Sequence, residues 1–282
     1  EINALYAIFS REVASQKVVE GLLETLPTYL NHLKDNNQVL AQDIERLNKT
    51  YLLPESYGNH VRRLYAELSE FDTLITEVIE EQAEPKEAYS ILEEQLQDLQ
   101  NNLKDIEDEQ ISVSEHLAQI EKDDMNARQK ANVYVNRLHT IKRYMEKRNL
   151  PGIPQSFLKL FFATSNNVED LMAELEQAKV NIESVNRILE IATNDMEALE
   201  TETYNIVQYA TLTEQLLQYS NRYRSFDERI QEAFNEALEI FERDFDYQTS
   251  FEKISQALEV AEPGVTNRFV SSYEKTREAI RF

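Results

Sequence analysis

The sequence predicts an all-α protein, an elongated rod of triple-helical bundles joined by long shared helices. Three observations carry that expectation. Apolar residues recur at alternating spacings of three and four over most of the chain. Helix breakers are scarce, with 4 Gly and 6 Pro in 282 residues. Most of these gather between the periodic stretches, where a lost donor or a freed backbone ends a helix.

The longest periodic stretch runs from Glu84-Pro85 to Asn149. Its register is Tyr89, Leu92, Leu96, Leu99, Leu103, Ile106, Gln110, Val113, Leu117, Ile120, Asp124, Ala127, Ala131, Tyr134, Leu138, Ile141 and Met145. Only Gln110 and Asp124 are polar, whereas a chain that is 41% hydrophobic would by chance place an apolar residue at fewer than half of these positions. This is the seam of one helix, roughly 95 Å long at the usual rise. A compact domain of this size does not hold such a helix in its middle, so the sequence predicts a rod.

The elements before it follow the same logic. Ile2 to Leu53 carries Val19, Leu23, Leu26, Leu30, Leu33, Leu40, Ile44, Leu47 and Tyr51 in one frame, with Asn37 as the gap. Pro27 is expected to kink or break this helix, because its ring clashes with the preceding turn. A turn at Pro54–Gly58 leads to a helix bearing Val61, Leu64, Leu68, Phe71, Ile75 and Val78. Pro85 then suits the first position of the central helix.

After Asn149-Leu150-Pro151 comes a short aromatic piece, Phe157 to Phe162, and then Thr164-Ser165-Asn166-Asn167, which offers an N-cap. A second long helix is expected from Val168 to about Ser220 on the register Val168, Leu171, Leu175, Ala178, Ile182, Val185, Leu189, Ala192, Met196 and Leu199. Asn221-Arg222-Tyr223-Arg224-Ser225 turns the chain. Phe226, Ile230, Ala233, Ala237 and Phe241 form a shorter helix, Asp244–Ser250 a loop, and Phe251–Phe282 two helical pieces around Pro263-Gly264.

Long helices serving two neighbouring units suggest a repeat array. Leu53-Pro54 and Leu150-Pro151 end two long segments at matching points. The expected organisation is a series of spectrin-like triple-helical repeats. Residues 1–27 finish a preceding repeat, and 28–114, 115–197 and 198–282 form three more, the middle one with a short second helix.

Composition narrows the function. Lys+Arg of 29 against Asp+Glu of 52 leaves a net charge of −23, which repels nucleic acid and anionic lipid. The absence of cysteine excludes disulfide and thiol chemistry and suits a reducing compartment. No apolar run is long enough to span a bilayer. The chain begins at Glu1 without a leader-like segment, as expected of a piece of a longer protein whose remainder holds any anchor.

The sequence lacks the usual parts of a catalytic or metal site. His32, His60, His116 and His139 have no Glu three residues before them, and no HExxH or phosphate-cradling Gly loop occurs. Asp244-Phe245-Asp246 begins like a calcium loop, but Thr249 and Ser255 occupy its required Gly and Glu positions. No cofactor is expected, and the chain does not read as an enzyme.

Two basic clusters stand out in the acidic chain. Arg128, Lys130, Arg137, Lys142, Arg143, Lys147 and Arg148 face an expected neighbour rich in acids (Glu169, Asp170, Glu174, Glu176, Glu183 and Glu190), as charges flanking a seam do. A partner site is the alternative there. Arg222, Arg224 and Arg229, with Tyr219 and Tyr223 interleaved and Gln215, Gln218 and Asn221 nearby, lie at a turn that no seam requires. They are either interface anchors or a polar turn whose Arg complements a helix dipole.

Several motifs carry a resemblance to a known family. Asn221-Arg222-Tyr223-Arg224-Ser225, Asn149-Leu150-Pro151-Gly152-Ile153-Pro154, Thr25-Leu26-Pro27-Thr28-Tyr29 and Glu262-Pro263-Gly264-Val265 resemble the septation ring formation regulator EzrA of Gram-positive bacteria, over the whole chain. The likeness is to the C-terminal half of that family's cytoplasmic region. It implies a cytoskeletal regulator of cell division that binds FtsZ, the tubulin-like division protein, and restrains division-ring assembly. It further implies other division and cell-wall synthesis proteins as partners, no nucleic acid, and a location at midcell on the cytoplasmic face of the cell membrane. Membrane attachment would come only through a single N-terminal anchor outside this chain. The family's Gln-, Asn- and Arg-rich patch maps to Gln218, Asn221, Arg222, Tyr223 and Arg224 as partner-binding residues.

The alternative function is a self-assembling structural coiled coil without a specific FtsZ site, which light scattering would reveal as a stable dimer or larger. The rod itself is tested by small-angle scattering. The radius of gyration should lie well above the roughly 19 Å of a compact chain of this length, and a value near that figure would overturn the rod.

Overall fold

The computed structural model describes residues 2–81 and 88–276. Among these the elements are α1 (Ile2–Leu47), α2 (Glu55–Glu81), α3 (Tyr89–Lys147), α4 (Gln155–Leu175), α5 (Ile182–Ser220), α6 (Glu228–Glu239), α7 (Tyr247–Ala261) and α8 (Val265–Thr276), with a π-helical turn at Ile240–Asp244. The described residues contain no β-strand beyond one isolated bridge, Tyr51 with Val180, so the fold is all-α as the periodicity requires. The position of Pro85 lies outside the described residues.

The chain divides into two compact units, each described here by itself. Unit one comprises Glu1–Asp124 and Gln177–Ile182. Its core is built from the seam residues of three helices: Val19, Leu26, Leu30 and Leu33 of α1, Leu64, Leu68 and Ile75 of α2, and Leu96, Leu99, Leu103 and Ile106 of α3. Tyr29 Oη donates to Glu107 Oε2 at 2.6 Å, and burial together with this carboxylate pushes the phenol pKa up.

α1 shows no break at Pro27 and ends earlier than expected. It runs unbroken through Pro27, although the ring removes the amide that would bond the Leu23 carbonyl. Leu23, Leu26 and Leu30 on either side are buried in the same core, and that burial outweighs one missing backbone bond. The helix also stops at Leu47, short of Leu53. Past that point the backbone pairs instead, with Leu52 N–H donating to Val180 O and Val180 N–H to Thr50 O. The polar seam residue Asp124 has a local purpose, accepting from Tyr51 Oη at 3.2 Å. α2 begins at Glu55, so Gly58 lies in its first turn.

Unit two comprises Met125–Glu176 and Glu183–Phe282. Here α3 contributes Ala127, Ala131, Tyr134, Leu138, Ile141 and Met145, α4 contributes Phe157, Val168, Leu171 and Leu175, and α5 contributes Val185, Leu189, Ala192, Met196 and Leu199. Thr164–Asn167 does not cap a helix, because α4 passes straight through it. The potential cap groups find other partners: Thr164 Oγ1 donates to Leu160 O and Asn167 Nδ2 to Asp195 Oδ2.

The expected continuous helix from Val168 to Ser220 is interrupted after Leu175. Arg128 Nη2 donates to the Leu175 carbonyl at 2.9 Å and so satisfies an orphan acceptor at that helix end. Ala178, expected in the seam, is exposed, while Val180 is buried. Arg137 of the basic cluster pairs with Glu200 of α5 at 2.8 Å.

Further along, the expected loop at Asp244–Ser250 shrinks to Phe245 and Asp246. Phe245 is left-handed (φ 57°), and the Asp246 carboxylate caps α7 by accepting from Thr249 N–H. Phe226, expected in a seam, precedes the α6 cap Asp227 and is 90% exposed. Gly152 is required by close approach, since a Cβ there would lie 2.3 Å from the Phe245 ring. Tyr247 Oη donates to the Gly152 carbonyl at 2.6 Å and holds that loop in place.

Leu103 tests the seam of unit one, where it is 0% exposed. Leu103→Ala should cost about 2–5 kcal/mol in denaturant titration. A change within the roughly 0.5 kcal/mol typical of surface positions would show that this seam is not the core.

Candidate functional site

The candidate site is the end of unit two where α5 gives way to α6. Its floor is a cluster of Leu216, Leu217, Ile230, Ile254, Leu258 and Val265, with Tyr219, Tyr223, Phe234 and Phe269 packed against it. α5 ends because buried Ser220 folds back. Its Oγ donates to Leu217 O, and its carbonyl accepts from both Tyr223 and Arg224 N–H. Asp227 starts α6 by accepting from Arg229 N–H.

Five residues were expected to bind a partner, and they fall into two groups. Gln218, Asn221 and Arg222 are exposed, whereas Tyr223 and Arg224 are half-buried in the unit's own packing. The Arg224 guanidinium lies 3.9 Å from the Phe234 ring centroid and donates to Gln231 Oε1 and Asn221 Oδ1. Such a cation–π contact with two hydrogen bonds fixes the turn more than it reaches outward. Arg229 folds onto Asp227 through Nε and Nη2, which holds the Asp227 carboxyl below the usual carboxylate range. Arg222 is exposed, with its guanidinium carbon over the Tyr219 ring, 4.5 Å from the centroid.

Glu262 organises this end of the unit and was not among the expected site residues. Its Oε2 accepts from Tyr219 Oη at 2.6 Å and Tyr223 Oη at 2.7 Å, while Oε1 pairs with Arg268 at 2.9 Å. The two tyrosine donors and then Arg268 depress its pKa to about 2. The same carboxylate pushes the Tyr223 phenol up to about 12. The turn that presents Glu262 needs Gly264, at φ +86°, and Glu259 accepts from the Gly264 and Thr266 N–H groups. One signal in the sequence pointed here, the Glu262-Pro263-Gly264 breaker; its partners did not show in any spacing.

Among the described residues no group of His, Cys, Asp and Glu could hold a metal ion. No described helix is long and apolar enough to cross a membrane.

Comparison with known proteins gives a consistent picture. A family model described as septation ring formation regulator, EzrA, matches residues 1–273. The chain is 79% identical over all 282 residues to the protein of that name from Streptococcus pneumoniae strain Hungary19A-6. The same identity holds for those of serotype 19F strain G54 and serotype 2 strain D39. In each case the match covers 100% of this chain and 49% of the relative, so the chain spans about half the length of the curated relatives it matches. No solved structure matches it.

The Glu262 cluster yields a pH prediction. A carboxyl whose folded pKa is depressed contributes stability above its unfolded value and loses it as pH falls through the folded value. Glu262→Gln should therefore lower the melting temperature at neutral pH. Its deficit against the parent should shrink between about pH 4.5 and pH 2. A deficit that is constant over that window would show that the carboxylate's charge is not what holds the two turns together.

Proposed function

The chain belongs to the EzrA family of septation ring formation regulators, and on that premise we propose that it is the filament-binding part of a cell-division regulator. In this reading it binds FtsZ and restrains division-ring assembly. The full-length protein is held at the cytoplasmic face of the membrane at midcell by an anchor outside this chain. Other division and cell-wall synthesis proteins dock on the same scaffold. The observation that carries the reading is 79% identity across the whole chain to septation regulators.

The geometry supports different roles for these residues. In a chain of net charge −23, an exposed arginine stacked on a tyrosine offers a cation and a ring face to an acidic segment of FtsZ. Arg222 is therefore the contact residue, flanked by exposed Gln218 and Asn221 as hydrogen-bonding groups. Tyr223 and Arg224 act by holding the turn, because their polar atoms are engaged with Glu262, Gln231 and Asn221.

Co-sedimentation with polymerised FtsZ tests this. The parent should pellet with the polymer, and raising the salt should weaken the effect as charges are screened. Arg222→Glu should pellet several-fold less while helicity and melting temperature stay unchanged. Arg224→Glu should lower the melting temperature as well. If Arg222→Glu pellets as well as the parent at low salt, this turn is not the binding surface.

A further inference from the structure

Unit one interrupts its leucine core with a layer of polar side chains that the proposed function does not use. Asn37 of α1 and Gln110 of α3 occupy seam positions and are only 2% and 3% exposed. Asn37 Nδ2 donates to Val61 O of α2 at 3.1 Å, and Gln110 Nε2 donates to Leu33 O of α1 at 2.8 Å. Both carboxamide oxygens are buried without a hydrogen-bond partner. At the same level Arg63 of α2 donates to Glu109 of α3 at 2.5 Å. His60 Nε2 lies 3.3 Å from that carboxylate, without hydrogen-bond geometry. Three of the five such unpartnered atoms among the described residues therefore fall in one cross-section of one unit.

The leucine core is interrupted at this cross-section, where α2 supplies the smaller buried Val61. Its contiguous cluster ends at Leu33 on α1, Leu64 on α2 and Ile106 on α3. Buried leucines resume beyond it at Leu40, Leu47 and Leu117. A groove of about 510 Å³ borders Asn37 between α1 and α2, and one of about 220 Å³ borders Gln110 between α1 and α3. The layer is thus underbonded, which costs stability.

We propose that this carboxamide layer is a register device, fixing which turns of α1, α2 and α3 face one another. A seam of leucines repeating every seven residues packs nearly as well after a slip of one heptad. Backbone carbonyls line every turn, so the two amide N–H bonds alone do not select a register. What selects it is coincidence: only the native alignment brings Asn37, Gln110 and the Arg63–Glu109 pair into one cross-section. A slip disperses them and buries each carboxamide among leucines. Single polar residues at such positions set register in coiled coils at the expense of stability.

The test exploits a chain with no cysteine. Spin labels at Glu45→Cys on α1 and Glu70→Cys on α2, both exposed positions, report the alignment of the two helices by electron–electron dipolar coupling. The parent should give one distance. Adding Asn37→Leu and Gln110→Leu should raise the urea midpoint and introduce a second distance, displaced by about 10 Å for a slip of one heptad. A single unshifted distance, or a midpoint that falls while the chain stays folded, overturns the proposal. If the double leucine variant does not fold, Gln110→Leu alone is judged by the same two readings.

Discussion

Burial of one apolar stripe along each helix is the constraint on which everything else depends. An isolated helix is marginal in water, and most helical stability in proteins comes from packing an amphipathic face. This chain has no disulfide to supplement that packing. Each fully buried leucine contributes roughly 1.5–3 kcal/mol relative to exposure, and unit one alone buries Leu26, Leu30, Leu33, Leu64, Leu68, Leu96 and Leu103 almost completely. The strength of that stripe explains why α1 continues through Pro27. It also explains why Thr164–Asn167, a good cap in isolation, stays helical: Val168, Leu171 and Leu175 lie on the same buried face as Phe157 and Thr164.

Polar residues in the stripe are informative because each has a specific partner. Asp124 receives the Tyr51 hydroxyl beside the point where the backbone leaves the helix and pairs with Val180. Asn37 and Gln110 each reach a carbonyl on another helix. Hydrophobic burial is non-directional, whereas a hydrogen bond is satisfied in one arrangement. Stability and specificity therefore come from different residues in the same seam.

At the far end of unit two the same division separates scaffold from surface. Glu262 gathers Tyr219, Tyr223 and Arg268, and Phe234 lies under Arg224, so the turn after α5 is held by side chains from α6, from α8 and from the turn between α7 and α8. Held in this way, the turn sets the Arg222 guanidinium over the Tyr219 ring.

The all-α class, the seam positions and the sites of the Pro263-Gly264 and Asn221–Ser225 turns are legible in the sequence, because periodicity and breaker chemistry belong to one segment at a time. Helix ends were less legible. Leu175 and Ile182 keep their heptad spacing across a real break with no Gly or Pro between them, and the break depends on Arg128 and Tyr51 arriving from elsewhere. The arginines of the turn looked alike in sequence, yet only contacts from Phe234, Gln231 and Asp227 decided which were occupied. Phe226 continued a register on paper and is exposed in fact, because α6 begins after it, at the Asp227 cap. What the sequence determined by itself is which face of each helix must be buried, since 3.6 residues per turn fixes that within the helix. Which groups end the helices, and which cations remain at the surface, the tertiary structure alone decided, because those outcomes rest on partners more than forty residues away or on the turn's final packing.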